Sequence, residues 1–155
     1  MLYDFYPLIA ALLANVIAQI MKPFAKYFKT GVFDKYQLLA AGGFPSSHTS
    51  TMSALTLAFA LKEGFDSSAF MISFILMLII SYDAMNVRLY AGKHIAMTQQ
   101  LIDDLKSLKN VKLVDPIYFT KMKKILGHER FEVIGGFFLG IIVSLLLYFI
   151  LGGMI

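Results

Sequence analysis

Four apolar stretches, separated by polar segments, set the pattern of this chain. Residues 5–21, 67–87 and 131–155 are continuous apolar runs. Each is close to the roughly 20 residues that a helix needs to cross the hydrocarbon core of a bilayer. Residues 49–61 form a shorter run rich in Ser, Thr and Ala, and small residues favour close helix packing inside a membrane bundle. The pattern therefore predicts about four transmembrane helices.

The polar segment 88–130 separates the third and fourth apolar runs. Apolar residues recur within it at helical spacing, at Met97, Leu101, Leu105 and Leu108. This spacing predicts an amphipathic helix at the membrane surface, and residues 116–126 predict a second one. We therefore expect an all-α integral membrane helical bundle: one domain over residues 1–155, with four spans and one or two interfacial helices.

Composition supports a membrane protein. The chain is 58% hydrophobic and only 15% charged, whereas soluble domains carry about 25% charged residues. A soluble fold of 155 residues could not bury that much apolar surface. The basic residues flank the apolar runs and no soluble binding module is visible, which argues against nucleic-acid binding. The absence of cysteine excludes disulfides and thiolate metal sites.

The distribution of charge predicts the orientation. With four spans, the segments 22–48 and 88–130 lie on the same side of the membrane, and they hold 13 of the 14 Lys and Arg residues. The positive-inside rule places both segments in the cytoplasm. Residues with unusual chemistry then gather at the cytoplasmic ends of the helices: Lys22, the stretch 42–48, Asp83, Arg88 and the stretch 127–132.

Ser46, Ser47 and His48 open the second segment directly after Pro45. Serine before a helix caps its free N–H groups, and this alone explains such residues in many helices. A helix N-terminus with hydroxyl groups is also a ready anion site. His48 favours the second interpretation, because histidine donates protons near neutral pH.

His128 and Glu132 share a face if the fourth helix has begun by Gly127. A carboxylate beside an imidazole fixes its tautomer and leaves the other ring nitrogen as a nucleophile or base. The alternative is a solvated helix start, where acidic residues are favoured by the helix dipole.

Asp83 ends a long apolar run, and an ionisable group at that depth is a functional candidate. Its alternative role is an ion pair with Arg88 or a lysine. Lys22 and Arg88 have the chemistry to clamp a phosphate, or to reach towards lipid headgroups. His94 has no evident partner in the sequence.

Three stretches together resemble the divergent branch of the type 2 phosphatidic acid phosphatase family, relatives of the vanadium haloperoxidases. They are residues 42–48, residues 82–88 followed by Ala91 and Gly92, and residues 126–133. The resemblance implies hydrolysis of a phosphate monoester or pyrophosphate through a phosphohistidine, without a metal or other cofactor.

By this resemblance, Ser46 and the amide of Ser47 bind phosphate and His48 protonates the leaving group. Pro45, Ser46 and His48 match the family motif Pro-Ser-Gly-His, in which Ser47 replaces the glycine. His128 takes the place of the nucleophile in the third motif.

The chain departs from the family motifs at several positions. Glu132 replaces an aspartate and Met122 replaces an arginine in the third motif. In the first motif, Lys followed after six residues by Arg-Pro, Lys22 matches the lysine and Lys29 stands in place of the arginine. Arg88 is the natural substitute for the missing arginines. Further lysines are available to assist: Lys26, Lys121 and Lys123.

The expected function is a lipid-phosphate phosphatase of the bacterial cytoplasmic membrane whose active site faces the cytoplasm. Its catalytic residues are His128, His48 and Glu132. Its phosphate ligands are Lys22, Ser46, Ser47 and Arg88, with Asp83 in support. The expected partners are a lipid phosphate substrate and membrane lipids. The alternative is a lipid-binding or assembly protein that has lost turnover, motivated by the missing arginines.

Overall fold

The computed structural model describes residues 3–40, 42–108, 115–120 and 127–151. Within these ranges the chain forms short 3₁₀ turns at Tyr3–Phe5, Lys35–Leu39 and Pro116–Phe119, and the rest of its regular structure is α-helical. The α-helices are, in chain order, α1 (Tyr6–Thr30), α2 (Ser47–Glu63), α3 (Ser68–Met85), α4 (Val87–Ser107) and α5 (Arg130–Ile150). The predicted all-α class is confirmed.

Three helical stretches in the described ranges are long and apolar enough to cross a membrane. They are Tyr3–Thr30, Ser68–Ser107 and Arg130–Ile150. They contain α1, α3 with α4, and α5, which correspond to three of the four predicted apolar runs. The predicted all-α membrane bundle therefore agrees with the structure. The run 49–61 lies in α2, which is not among these three stretches.

Helix α2 lies at the centre of the bundle and packs against α1, α3 and α5. At one end the Lys22 ammonium donates to the Ser47 hydroxyl over 3.3 Å. At the other end Lys62 donates to the carbonyl of Asp4 over 3.0 Å. Because Asp4 lies just before α1 and Lys22 lies at the far end of the apolar part of α1, α2 runs the same length of the bundle beside it. The Ser and Thr side chains of α2 are accommodated because α2 is surrounded by α1, α3 and α5.

Small residues bring α2 close to α5. A Cβ atom added at Gly136 would meet the carbonyl of Ser46, and one added at Gly140 would meet the carbonyl of Ser50. The Ser53 hydroxyl donates to the carbonyl of Phe137 over 3.0 Å. The tight packing predicted from the spacing of Gly136 and Gly140 is therefore confirmed, with α2 as the partner helix.

The boundary between α3 and α4 differs from the sequence interpretation. The helix after the third apolar run begins at Val87, ten residues before Met97, with Asn86 as the only break. Arg88 therefore lies in the first turn of α4. In the second predicted amphipathic segment, Pro116–Phe119 forms a 3₁₀ turn, and residues 121–126 lie outside the described ranges.

Candidate functional site

His128, which is buried, and Glu132, which is partly buried, form a pair, although the premise used to predict it is wrong. Helix α5 begins at Arg130 with Glu129 as its N-cap, so His128 precedes the helix. Its Nδ1 nevertheless lies 2.9 Å from Oε2 of Glu132. The reason is that the Glu132 carboxylate folds back over the helix start, where it also accepts the Glu129 amide over 3.2 Å. His128 is only 1% exposed.

The backbone around His128 is fixed by α3 and α4. The His128 amide donates to the carbonyl of Ala84 over 3.0 Å. A Cβ atom added at Gly127 would meet the backbone of Leu89 and lie 2.7 Å from the carbonyl carbon of Arg88. Gly127 thus allows the first turn of α4 to pack directly against the segment that carries His128.

Ser46 is the N-cap of α2 and joins α2 to α5. Its hydroxyl accepts the amide of Thr49 over 3.4 Å, as capping predicts. Its own amide donates to the carbonyl of Glu132 over 2.9 Å. Ser46 is fully buried. The next amides, those of Ser47 and His48, lie in the first turn of the helix, where no intrahelical acceptor is available to them.

The rings of His48 and His128 lie close together, edge to face, at this end of the bundle. Their centroids are 6.0 Å apart and their planes meet at 68°. Of the buried side-chain atoms that the structure describes here, Nε2 of His128 and Nδ1 of His48 have no hydrogen-bond partner. Buried polar groups are normally paired, so an unpaired one calls for a cause such as a catalytic role.

Lys22 points inward, towards the start of α2, and not to the lipid headgroups. Its side chain is 1% exposed. Its ammonium donates to the carbonyl of Ala40 over 2.8 Å and to the hydroxyl of Ser47 over 3.3 Å. A buried ammonium held by neutral acceptors leaves a positive charge at the N-terminus of α2, where an anion is favoured.

Asp83 and Arg88 form an ion pair across the break between α3 and α4. Nε of Arg88 lies 2.6 Å from Oδ2 of Asp83, which is one of the two roles considered for Asp83. Both side chains are partly exposed, so the pair contributes little to stability.

The pKa of His48 is lowered below its ordinary value of 6.5. Burial is the largest cause, and the positive charge of Arg88 is the next, followed by His128 and Lys22.

An open cavity of about 1550 Å³ lies beside the buried residues. It is lined by α1, by the segment before α2, by the first half of α4 and by the start of α5. Lys22 and Glu132 contribute to its wall, whereas neither His48 nor His128 does. In the ranges that the structure describes, no three acidic or histidine side chains come together as metal ligands.

The structure adds three residues that the sequence analysis did not select. They are Ala84, whose carbonyl holds the His128 amide, Gly127, which admits the start of α4, and Lys93, which lines the cavity. Gly127 lies inside residues 126–133, which carried the resemblance, so the glycine at this position was a signal for a close backbone contact. Lys121, Met122 and Lys123 lie outside the described residues.

The chain is an α-helical membrane protein with two histidines and a glutamate close together at one end of its bundle. It belongs to the divergent PAP2 family, whose sequence model matches residues 4–143. It is similar to the uncharacterized membrane protein YuiD of Bacillus subtilis (strain 168), with 33% identity over 147 residues, covering 92% of this chain and 93% of YuiD. No solved structure matches the chain significantly. The match to the family model confirms the resemblance drawn from the motifs.

Proposed function

We propose that the protein is a lipid-phosphate phosphatase that works through a phosphohistidine on His128. The main support is the His128–Glu132 pair at 2.9 Å, together with the unpaired Nε2 of His128 in a buried site. A carboxylate on Nδ1 keeps the proton there and stabilises the imidazolium that forms, which leaves Nε2 as the nucleophile.

The reaction has two steps. Nε2 of His128 attacks phosphorus, and the bond from phosphorus to the lipid oxygen breaks. His48 gives its proton to that oxygen, which releases a lipid alcohol, or a lipid monophosphate when the substrate is a diphosphate. Water then attacks the phosphohistidine and gives a proton to His48, and inorganic phosphate leaves with both histidines restored. The 6.0 Å between the ring centroids is consistent with one phosphate serving both rings.

The transferring phosphate is neutralised by Lys22, by the start of α2 at Ser46 and Ser47, and by Arg88. Ser46 acts mainly as the cap that holds this start in place, because its hydroxyl accepts the amide of Thr49 and its own amide is bound to α5. The site opens to the cytoplasmic leaflet of a bacterial membrane, since the basic segments lie at this end. Phosphatidylglycerophosphate, phosphatidate and polyprenyl pyrophosphate are the candidate substrates.

The test is phosphate release from a panel of these lipids by purified protein in detergent or liposomes, with EDTA present. Release that survives EDTA and that, in a parallel assay without EDTA, is inhibited by vanadate, which mimics a phosphate bound to histidine, would support the proposal. If well-folded protein releases phosphate only after a divalent metal is added back, the metal-free mechanism is wrong.

A second candidate function is lipid binding without turnover. Two observations favour it: Arg88 is already paired with Asp83, and neither histidine lines the open cavity. Under this alternative, the wild type binds lipid phosphates with measurable affinity and releases no phosphate from any member of the panel.

The protonation of His48 predicts a pH dependence. Because burial and the charge of Arg88 lower its pKa below 6.5, the protonated form needed for leaving-group departure is lost as pH rises through that lowered value. We expect kcat/KM to fall about tenfold for each pH unit above it. His48→Asn should remove this limb, whereas a limb that belongs to the phosphate substrate would persist in the variant. A limb unchanged by the substitution would contradict the assignment.

A further inference from the structure

The rim of the open cavity is the most exposed apolar part of the described chain. Leu39, Phe28 and Tyr36 line it, and they are 88%, 85% and 77% exposed, the three highest values among the large apolar side chains described. Side chains of this kind are stable at a membrane interface, where one side is apolar and the other is wet. A rim of this kind suits the bilayer interface, from which a lipid can enter.

The size and walls of the cavity fit a lipid better than a small soluble ester. Its volume of about 1550 Å³ exceeds the 300–1,000 Å³ that is typical of small-molecule pockets. Aromatic residues form much of its wall, among them Phe24, Phe44 and Phe131. The rings of Phe44 and Phe131 stack with centroids 4.7 Å apart. This surface suits an acyl or prenyl chain.

Positive charge exceeds negative charge along the same wall. Four lysines line the cavity, against two glutamates, Glu129 and Glu132. Lys26 is balanced by Asp34 at 2.8 Å. Among the described residues, Lys29 and Lys93 have no carboxylate within ion-pair distance; the Lys93 ammonium lies over the ring of Tyr90 at 5.4 Å.

The unbalanced lysines lie some distance from the buried site. Lys22, Lys26 and Lys29 share one face of α1 at i, i+4 and i+7. The helical rise places Lys29 about 10 Å along the axis from Lys22, whose ammonium is fixed at Ala40 and Ser47. One phosphate held at the histidines therefore leaves the charge of Lys29 and Lys93 available for another anionic group.

We propose that Lys29 and Lys93 bind a second anionic group of the lipid, so that the cavity selects lipids with two anionic groups over lipids with a lone phosphomonoester. This selectivity rests on the proposed function, because it assigns the first anion to the histidine site. The second group is either a phosphate joined directly to the first or a phosphodiester separated from it by a glycerol.

The experiment measures binding to the His128→Asn protein, which cannot turn lipid over under the proposed mechanism. Two chain-matched pairs serve as probes: farnesyl monophosphate with farnesyl diphosphate, and dioleoyl phosphatidate with dioleoyl phosphatidylglycerophosphate. We expect the two-anion member of at least one pair to bind roughly tenfold tighter or more, as one charge-assisted contact contributes. The pair that shows the preference identifies the spacing of the two groups.

Substitutions then assign the preference to the two lysines. The double variant Lys29→Gln with Lys93→Gln should lose it, while Lys29→Arg with Lys93→Arg should keep it. Lys35→Gln is the matched control, because Lys35 is exposed in the neighbouring turn and does not line the cavity. Equal affinities within both pairs, or a preference that survives the double glutamine variant, would overturn the proposal.

This result is independent of turnover. Preferential binding that depends on Lys29 and Lys93, in a protein whose wild type hydrolyses no lipid, would support the selectivity and refute the phosphatase proposal. Hydrolysis by the wild type with equal kcat/KM for both members of each pair would support the phosphatase proposal and refute the selectivity.

Discussion

His128→Asn is expected to remove phosphate release from every lipid that the wild type hydrolyses, by a factor of at least about 10³, the scale on which loss of a nucleophile affects covalent enzymes. The variant should also fail to form a phosphoenzyme. With a lipid labelled in its terminal phosphate, wild-type protein quenched in alkali, where phosphohistidine is stable, should retain label. Asparagine is chosen because it keeps a polar side chain beside Glu132 and leaves the backbone bond to Ala84 intact.

His94→Asn is the matched control, since His94 is exposed on α4 and is the one histidine of the chain outside the site. It should leave both rate and labelling unchanged. His48→Asn should behave differently again: lipid hydrolysis falls, but hydrolysis of p-nitrophenyl phosphate falls much less, because nitrophenolate leaves without a proton. Label retained by the His128→Asn protein would place the nucleophile elsewhere.

Gly140→Ala is expected to destabilise the bundle by about 1–3 kcal/mol, the usual result of overpacking a close contact. The added methyl group would meet the Ser53 hydroxyl and the carbonyl of Ser50, and would lie 2.8 Å from the amide nitrogen of Ala54. Most of these contacts are with the backbone of α2, so the helices must separate. The higher helix propensity of alanine, about 1 kcal/mol, offsets only part of this loss.

Ile142→Ala is a suitable control, because Ile142 lies two residues further along the same helix, on the opposite face, and is 52% exposed. Unfolding of both variants in a denaturing-detergent titration should show a lowered midpoint for Gly140→Ala and a much smaller change for Ile142→Ala. Equal midpoints for Gly140→Ala and wild type would show that α2 and α5 do not pack as closely as described.

Much of the architecture follows from local pattern. The apolar runs predict α1, α3 and α5, because length and hydropathy alone define a membrane helix. The capping serine predicts the start of α2. The apolar spacing indicates α4 only from Met97 onwards, whereas its start after the break at Asn86 depends on how α3 ends. A break of this kind cannot be seen in the spacing of apolar residues along the sequence.

The site was predictable in its residue types and less so in its geometry. The pairing of His128 with Glu132 was expected from a shared helix face, yet it arises from a carboxylate folded back over the helix start. Whether Asp83 pairs with Arg88 or a lysine was open in the sequence, because the sequence does not show which basic side chain lies beside it once the chain folds. The cavity was not foreseen, since it is formed by segments far apart in the chain.

The polar centre of the bundle also has a consequence for how the protein is made. The hydroxyl groups of Ser50, Thr51 and Thr56 each donate to a carbonyl four residues earlier in α2, and Ser53 donates across to α5. The bonds within α2 satisfy its hydroxyl groups, but a helix this rich in Ser, Thr and Ala gains little from contact with lipid alone and much from close packing with other helices. We expect it to insert into the bilayer together with α1 and α3, and to reach its final environment when α5, which follows them in the chain, packs against it.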